Sequence, residues 1–158
     1  MIGYRDNGNS YYGTAIVGTV SGTGISFGTA AVFQSSQSNT YGVVHDSNAQ
    51  KNVIFFRDLT STAKGSVIVG TVSGTSISFN TKTAVNDGYA EGNTHNAVYD
   101  STAKKVILSY KDDGNSSYGT AVVYQTAYSR GGGTIADGKP VIVNANGTVS
   151  SVSQTASS

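Results

Sequence analysis

Gly18-Thr19-Val20-Ser21-Gly22-Thr23 recurs 52 residues later as Gly70-Thr71-Val72-Ser73-Gly74-Thr75, and the echo spreads outward from it on both sides. Ile25-Ser26-Phe27 returns as Ile77-Ser78-Phe79. Tyr4-Arg5-Asp6 returns as Phe56-Arg57-Asp58 and, 54 residues further on, as Tyr110-Lys111-Asp112. Gly13-Thr14-Ala15 becomes Gly65-Ser66-Val67 and then Gly119-Thr120-Ala121, while Val44-His45-Asp46-Ser47 matches Val98-Tyr99-Asp100-Ser101. Internal similarity at such a period means one supersecondary unit copied along the chain and stacked on its neighbours.

Within one period the apolar pattern predicts four strands: Tyr41–His45, Val53–Arg57, Ser66–Val72 and Ile77–Val85. Val53-Ile54-Phe55-Phe56 is an unbroken apolar run, which predicts a strand buried on both faces. Ser73-Gly74-Thr75-Ser76 is a tight hairpin turn in which Gly supplies the positive φ. Four antiparallel strands in about 50 residues, repeated, predict an all-β fold of tandem blades, β-propeller-like. A β-solenoid would need a much shorter rung, and an immunoglobulin-type sandwich would not repeat itself.

Read in order, the repeat region 1–127 offers a partial blade (1–33), a full blade (41–85) and a second partial blade (94–124). Propellers typically have four to eight blades, and open sheet edges are normally paired or covered. Three completions fit: strands from Lys139–Val152, association of chains into a ring, or a strand lent by each chain to the next. Association is the favoured expectation, because Met1 begins inside what should be a second strand. The candidate assembly edges are Ile2 and Tyr4 in the first blade and Val141, Ile142, Val143 and Val149 in the tail. That tail, 128–158, reads as a β-hairpin: Gly131-Gly132-Gly133 is a joint, Pro140–Val143 and Thr148–Val152 are strands, and Asn146-Gly147 is the hairpin turn. Ser153–Ser158 is polar and expected to fray.

Composition narrows the function classes. Only 12% of residues are charged and the net charge is +1, against the basic surface on which nucleic-acid affinity depends. Cysteine is absent, which removes disulfides and thiolate metal sites. No stretch reaches the roughly 18–20 apolar residues of a membrane-spanning helix, and Met1-Ile2-Gly3-Tyr4-Arg5 lacks the apolar core of a signal peptide. The expectation is a virion part released by lysis, or a processed fragment, with no membrane insertion.

The segments Tyr4-Arg5-Asp6-Asn7-Gly8-Asn9-Ser10-Tyr11-Tyr12-Gly13 and Gly13-Thr14-Ala15-Ile16-Val17-Gly18-Thr19-Val20-Ser21-Gly22-Thr23 resemble the propeller-like blade repeats of aquatic bacteriophage tail-fibre and virion-surface proteins. Ala136–Ser150 is similar to a segment that accompanies such repeats. The resemblance runs over most of the chain and implies a virion-surface or extracellular adhesin that touches host glycans. Relatives of that kind carry many blades, whereas this chain has fewer than three.

The residues themselves carry two readings of the loops. Arg5, Asp6, Asn7 and Asn9 can pair with sugar hydroxyls while Tyr11 and Tyr12 stack on apolar ring faces, and Asp112, Asp113, Asn115 and Tyr118 repeat that set. Repeated loops at one end would bind weakly and multivalently. The alternative is plain turn chemistry, in which Asn and Asp tolerate left-handed backbone and Gly needs it. The middle copy, Arg57-Asp58-Leu59-Thr60-Ser61, loses the Asn, Gly and Tyr and still keeps Arg and Asp. A purely structural subunit, self-assembling into a ring or filament through open blade edges, is the competing function.

Catalysis is not expected. Asp46 and Asp100 open Asp-Ser-x-x-x-Lys turns, but a sialidase-type Asp-box needs a Trp that the chain lacks altogether. A glycosidase needs a pair of placed carboxylates, and Glu91 is the single Glu. Arg5, Arg57 and Arg130 are the only arginines, too few for a sialidase cluster once the repeat accounts for two. No metal or other cofactor is expected: His45 and His95 occupy non-equivalent positions, and Asp112-Asp113-Gly114-Asn115 lacks the ligand alternation of an EF-hand. Thr19–Gly24 is glycine-rich but precedes no helix, so it is no phosphate loop.

Overall fold

The computed structural model describes residues 1–60, 63–86, 88–90 and 96–126, together with the backbone of 141–143 and 149–151. The chain divides into two compact units, Met1–Thr126 and Ala127–Ser158. All regular structure in the described residues is antiparallel β apart from one 3₁₀ turn, Asp113–Asn115, and the sheets are open.

The first unit begins with β1 (Ile2–Asp6) and β2 (Tyr12–Ile16), then the hairpin β3 (Gly18–Ser21) and β4 (Gly24–Phe27). Next comes β5 (Ala31–Asp46), followed by β6 (Lys51–Asp58), β7 (Lys64–Ser73), β8 (Ser76–Phe79) and β9 (Thr83–Ala84). The last three are β10 (Asn96–Asp100), β11 (Lys105–Asp112) and β12 (Tyr118–Tyr124). One sheet runs β1-β2-β5-β6-β7-β8 with β9 also on β7, and a second runs β10-β11-β12. Registers coincide at the sequence spacing. Arg5 opposes Gly13, Arg57 opposes Gly65, and Lys111 opposes Gly119. Asp46 opposes Lys51 as Asp100 opposes Lys105.

Alternation along β6 decides the packing. Val53 and Phe55 join Val67 on one face, against Ala97, Val106, Leu108 and Tyr110 of the second sheet. Ile54 and Phe56 join Ile68 on the other face, against Ala15 and Phe33. All four residues of the run are fully buried, as expected of a doubly covered strand. The long sheet must therefore fold back on itself at β5. Phe33 lies 5.1 Å from Phe56 and 5.8 Å from Phe79 in edge-on contacts, although β6 and β7 separate β5 from β8 in strand order. Three tiers result. The first is β1 to β4 with the N-terminal part of β5, the second is the rest of β5 through β9, and the third is β10 to β12.

Two predicted strands differ from the fold. The short strand at Tyr41–His45 is the end of the sixteen-residue β5, which pairs first with β2 and then with β6 across a bulge between Thr40 and Gly42. Gln34–Thr40 carries no apolar alternation, so nothing in its pattern announces a strand; backbone pairing on both sides makes it one. The predicted Ile77–Val85 strand is interrupted, and β8 and β9 pair with different halves of β7. Between them Lys82 reaches Asp58, at 2.5 Å, and Gln34, at 3.1 Å. Asp58 also accepts from Gln34 Nε2 and from the Thr60 hydroxyl and N–H, so this buried carboxylate joins the first tier to the second.

In the second unit β13 (Val141–Val143) and β14 (Val149–Ser151) form a hairpin, with Val141 opposite Ser151 and Val143 opposite Val149. The expected Gly131–Gly133 joint, the Asn146-Gly147 turn and the Ser153–Ser158 end lie outside the described residues.

Burial opposes ionisation of Asp58, but the Lys82 hydrogen bond, the Thr60 donors and the Lys82 charge outweigh it and hold the carboxyl below its usual value. Such a group adds stability above the unfolded-state pKa near 3.8 and loses it as pH falls through the folded one. Thermal melts are expected to be flat above about pH 5 and to drop below about pH 4. Asp58→Asn should make that drop shallower; an unchanged acid profile would remove Asp58 from its cause.

Candidate functional site at the turn end

The turns after Asp6, Asp58 and Asp112 are built alike. In each the aspartate Oδ1 accepts the backbone N–H two residues on: Gly8 at 3.0 Å, Thr60 at 3.1 Å and Gly114 at 3.0 Å. This local bond gives the chain a turn in place of a ladder, which is why Asp survives in every copy. The left-handed residues of these turns are not the Asn and Gly that composition points to. They are Ser10 and Tyr11 in the first turn and Ser116 and Ser117 in the last, with Ala63 at the place of Tyr11 in the middle one. At the hairpin turns the expected glycines, Gly22 and Gly74, do take φ of +59°.

Hydrogen bonds gather the three turns at one end. Ser38 N–H donates to the Tyr11 carbonyl and Leu59 N–H to the Gln37 carbonyl, tying the first turn to the second through β5. Ala90 N–H donates to Ala63 and Asp113 N–H to Tyr89, tying the second to the third. The Arg5 guanidinium lies 4.2 Å over the Tyr11 ring and donates to Asn39 Oδ1 at 3.0 Å. Arg57 lies 4.2 Å over Tyr89, which comes from the loop after β9 and not from its own turn. Tyr11 and Tyr89 thus each hold an arginine of the repeat by cation–π stacking.

The other predicted contact residues divide in two. Asp6 and Asp112 are committed to their turns. Asp113 accepts from the Ser117 hydroxyl at 2.7 Å and faces Lys111 Nζ at 3.5 Å, and the Ser117 bond leads in lowering its pKa. Tyr12 is half-buried, while Asn7, Asn9, Asn115 and Tyr118 are exposed. Asp112 and Asn115 help line a cleft of about 500 Å³, with Val85, Asn86, Gly88, Tyr110 and Gly114 as its other walls. Gly88 presses on Gly114 so closely that a Cβ on Gly88 would meet the Gly114 Cα at 2.8 Å. Asn86 accepts from Gly65 N–H at 2.9 Å and donates to the Gly88 carbonyl at 3.0 Å. Burial, with the nearby Asp112 charge second, pushes the Tyr110 hydroxyl pKa up.

Sequence reading missed Asn86, Gly88 and Tyr89, because they stand in a loop that has no counterpart motif in the other copies. At the opposite end, Asp46 accepts from Asn48 and Ala49 N–H at 3.0 Å each. Burial opposes its ionisation, yet those donors, with the Thr126 and Tyr99 hydroxyls turned toward it, keep its pKa low. The Thr126 hydroxyl makes no hydrogen bond of full geometry, so the two backbone donors are the firm contacts. Among the described residues no group of three or more His, Asp or Glu could hold a metal ion. Glu91, His95 and Arg130 lie outside them.

The sequence matches no protein-family model and no curated protein, and no solved structure matches the fold.

Replacing Asp112 with Ala should cost about 1 kcal/mol of stability through loss of the turn bond, and Tyr118→Ala less than about 0.5 kcal/mol. Urea denaturation of both variants checks this; equal losses would assign Tyr118 a structural part.

Proposed function

We propose that this chain is a non-enzymatic structural module of the phage tail-fibre or virion-surface kind, made of propeller-like blades and working by assembly with further copies of itself. The observation that carries the reading is the middle tier, buried on both faces by its neighbours, beside outer tiers that among the described residues have a neighbour on one face only. A chain built on that plan gains stability each time a tier is added, as repeat arrays do. The blade resemblance supports an extracellular or virion-surface setting, and the aspartates of the turns, committed to backbone N–H groups, support a scaffold over an enzyme. Light scattering behind a sizing column, over a hundredfold range of concentration, tests it. A mass that rises above that of one chain is expected. A single-chain mass throughout would end the reading.

One observation favours a second role, adhesion to a cell-surface glycan. Tyr118 and Asn115 are exposed at the same end as the cleft walled by Tyr110 and Asp112, which supplies a stacking ring beside hydrogen-bonding groups. On a glycan array, wild-type signals should fall at least about tenfold in Tyr118→Ala with folding unchanged. Signals that survive the substitution, or none at all, would remove this role.

A further inference from the structure

We infer that copies of the chain stack head to tail through sheet faces, the first tier of one copy seated on the third tier of the next. The inference rests on the assembly reading above and replaces edge pairing with a defined face-to-face contact.

The contact between the first and second tiers is the template. The second tier contributes Ile54, Phe56 and Ile68, with Ile77 and Phe79 packed beside them. Fifty-two residues earlier the same places hold Ile2, Tyr4, Ile16, Ile25 and Phe27. The cross-strand pairing is the same too: Ile2 opposes Ile16 as Ile54 opposes Ile68, and Val20 opposes Ile25 as Val72 opposes Ile77. What differs is cover. Ile54 and Phe56 are 0% exposed, whereas Ile2, Ile25 and Phe27 are 45%, 50% and 53% exposed. The first tier therefore exposes Ile2 where the second buries Ile54, and Ile25 and Phe27 where Ile77 and Phe79 are half-buried.

The receiving face repeats as well. The first tier meets the second with Met1, Gly3 and Ala15 of its β1–β2 face and with Phe33 of β5. One hundred and six residues on from Met1, Gly3 and Ala15, in the third tier, stand Ile107, Ser109 and Ala121. Val98, Ile107 and Val123 are directly opposed across β10, β11 and β12, and Val98 and Val123 are 49% and 67% exposed. In the second tier the matching row is Val44, Val53 and Val69; Val53 is 0% exposed beneath the third tier and Val69 7%. Ser109 adds a side chain where Gly3 has none.

A first tier placed on a third tier thus repeats the strand-for-strand part of a contact the chain already makes within itself, with Ile107 and Ala121 at the places of Met1 and Ala15; the Phe33 part of that contact has no counterpart among the described residues of the third tier. The match is between two different surfaces of one chain, so the contact is heterologous: it closes into a ring if the rotation per copy allows, and otherwise grows as a filament. A lone apolar face of this size would serve many partners. The paired occurrence of a face and its own complement on one chain selects a second copy.

Two exposed-site variants of the full chain test the inference, Phe27→Lys on the presenting face and Val123→Lys on the receiving face. Burying an unpaired ammonium should weaken self-association of each by at least about a hundredfold. Mixed in equal amounts they should form two-chain complexes and nothing larger, since one intact face remains on each; that mixture also shows that both variants are folded. If wild type is monomeric throughout, the assembly reading and this inference fall together. If wild type assembles and both variants assemble equally well, assembly stands while face stacking is overturned in favour of strand edges or the C-terminal hairpin. If both variants are monomeric and the mixture stays monomeric, the head-to-tail pairing of these two faces is overturned.

Discussion

The fold depends on the two-sided burial of Val53-Ile54-Phe55-Phe56. A strand with one apolar face can lie on a single neighbour and turn its other side to water. Here Val53 and Phe55 point to one cluster and Ile54 and Phe56 to another, so the second tier is stable only between two others. Each of these side chains is worth about 1.5–3 kcal/mol when removed from water. The folding back of the long sheet at β5 follows from this demand, because only by doubling over can β2 and Phe33 cover the Ile54 side while β10 to β12 cover the other.

Polar contacts then hold the tiers in register. Asp58 gathers Gln34 from the first tier and Lys82 from the segment between β8 and β9, and Arg57 reaches Tyr89 beside the third tier's turn. These are the middle copies of Asp6 and Arg5: Asp6 caps its own turn, and Arg5 stacks on Tyr11 while donating to Asn39 of β5. The aspartate of the repeated pair therefore caps its turn in both copies, and in the middle copy it also joins two tiers through Gln34 and Lys82. The difference comes from what is stacked beside each copy.

The same logic bears on function. Carboxylates committed to backbone N–H groups and to Ser117 are scaffold, while the uncommitted groups, Asn115 and Tyr118, stand at the cleft end. The apolar end faces have the opposite character. Phe27 and Val123 are exposed copies of the partly buried Phe79 and the buried Val69 of the second tier.

Sequence alone determined the all-β class, the turn-forming aspartates, the left-handed Gly22 and Gly74, and the doubly buried run, because each rests on local chemistry or on side-chain alternation within a few residues. Of β5 it gave only the Tyr41–His45 end; the polar middle from Gln34 to Thr40 is held as a strand by backbone pairing with β2 and β6, a long-range condition that leaves no mark in composition. The left-handed Ser10, Tyr11, Ser116 and Ser117 were equally hidden, since the strands on either side impose that geometry on residues that do not favour it. Tyr89 and Lys82 found their partners only in three dimensions, at separations of 32 and 24 residues from Arg57 and Asp58. Which apolar residues became core and which became bare end faces was likewise a tertiary decision. Ile2 and Ile54 are the same residue in the same local pattern, and only the tier stacked against Ile54 tells them apart.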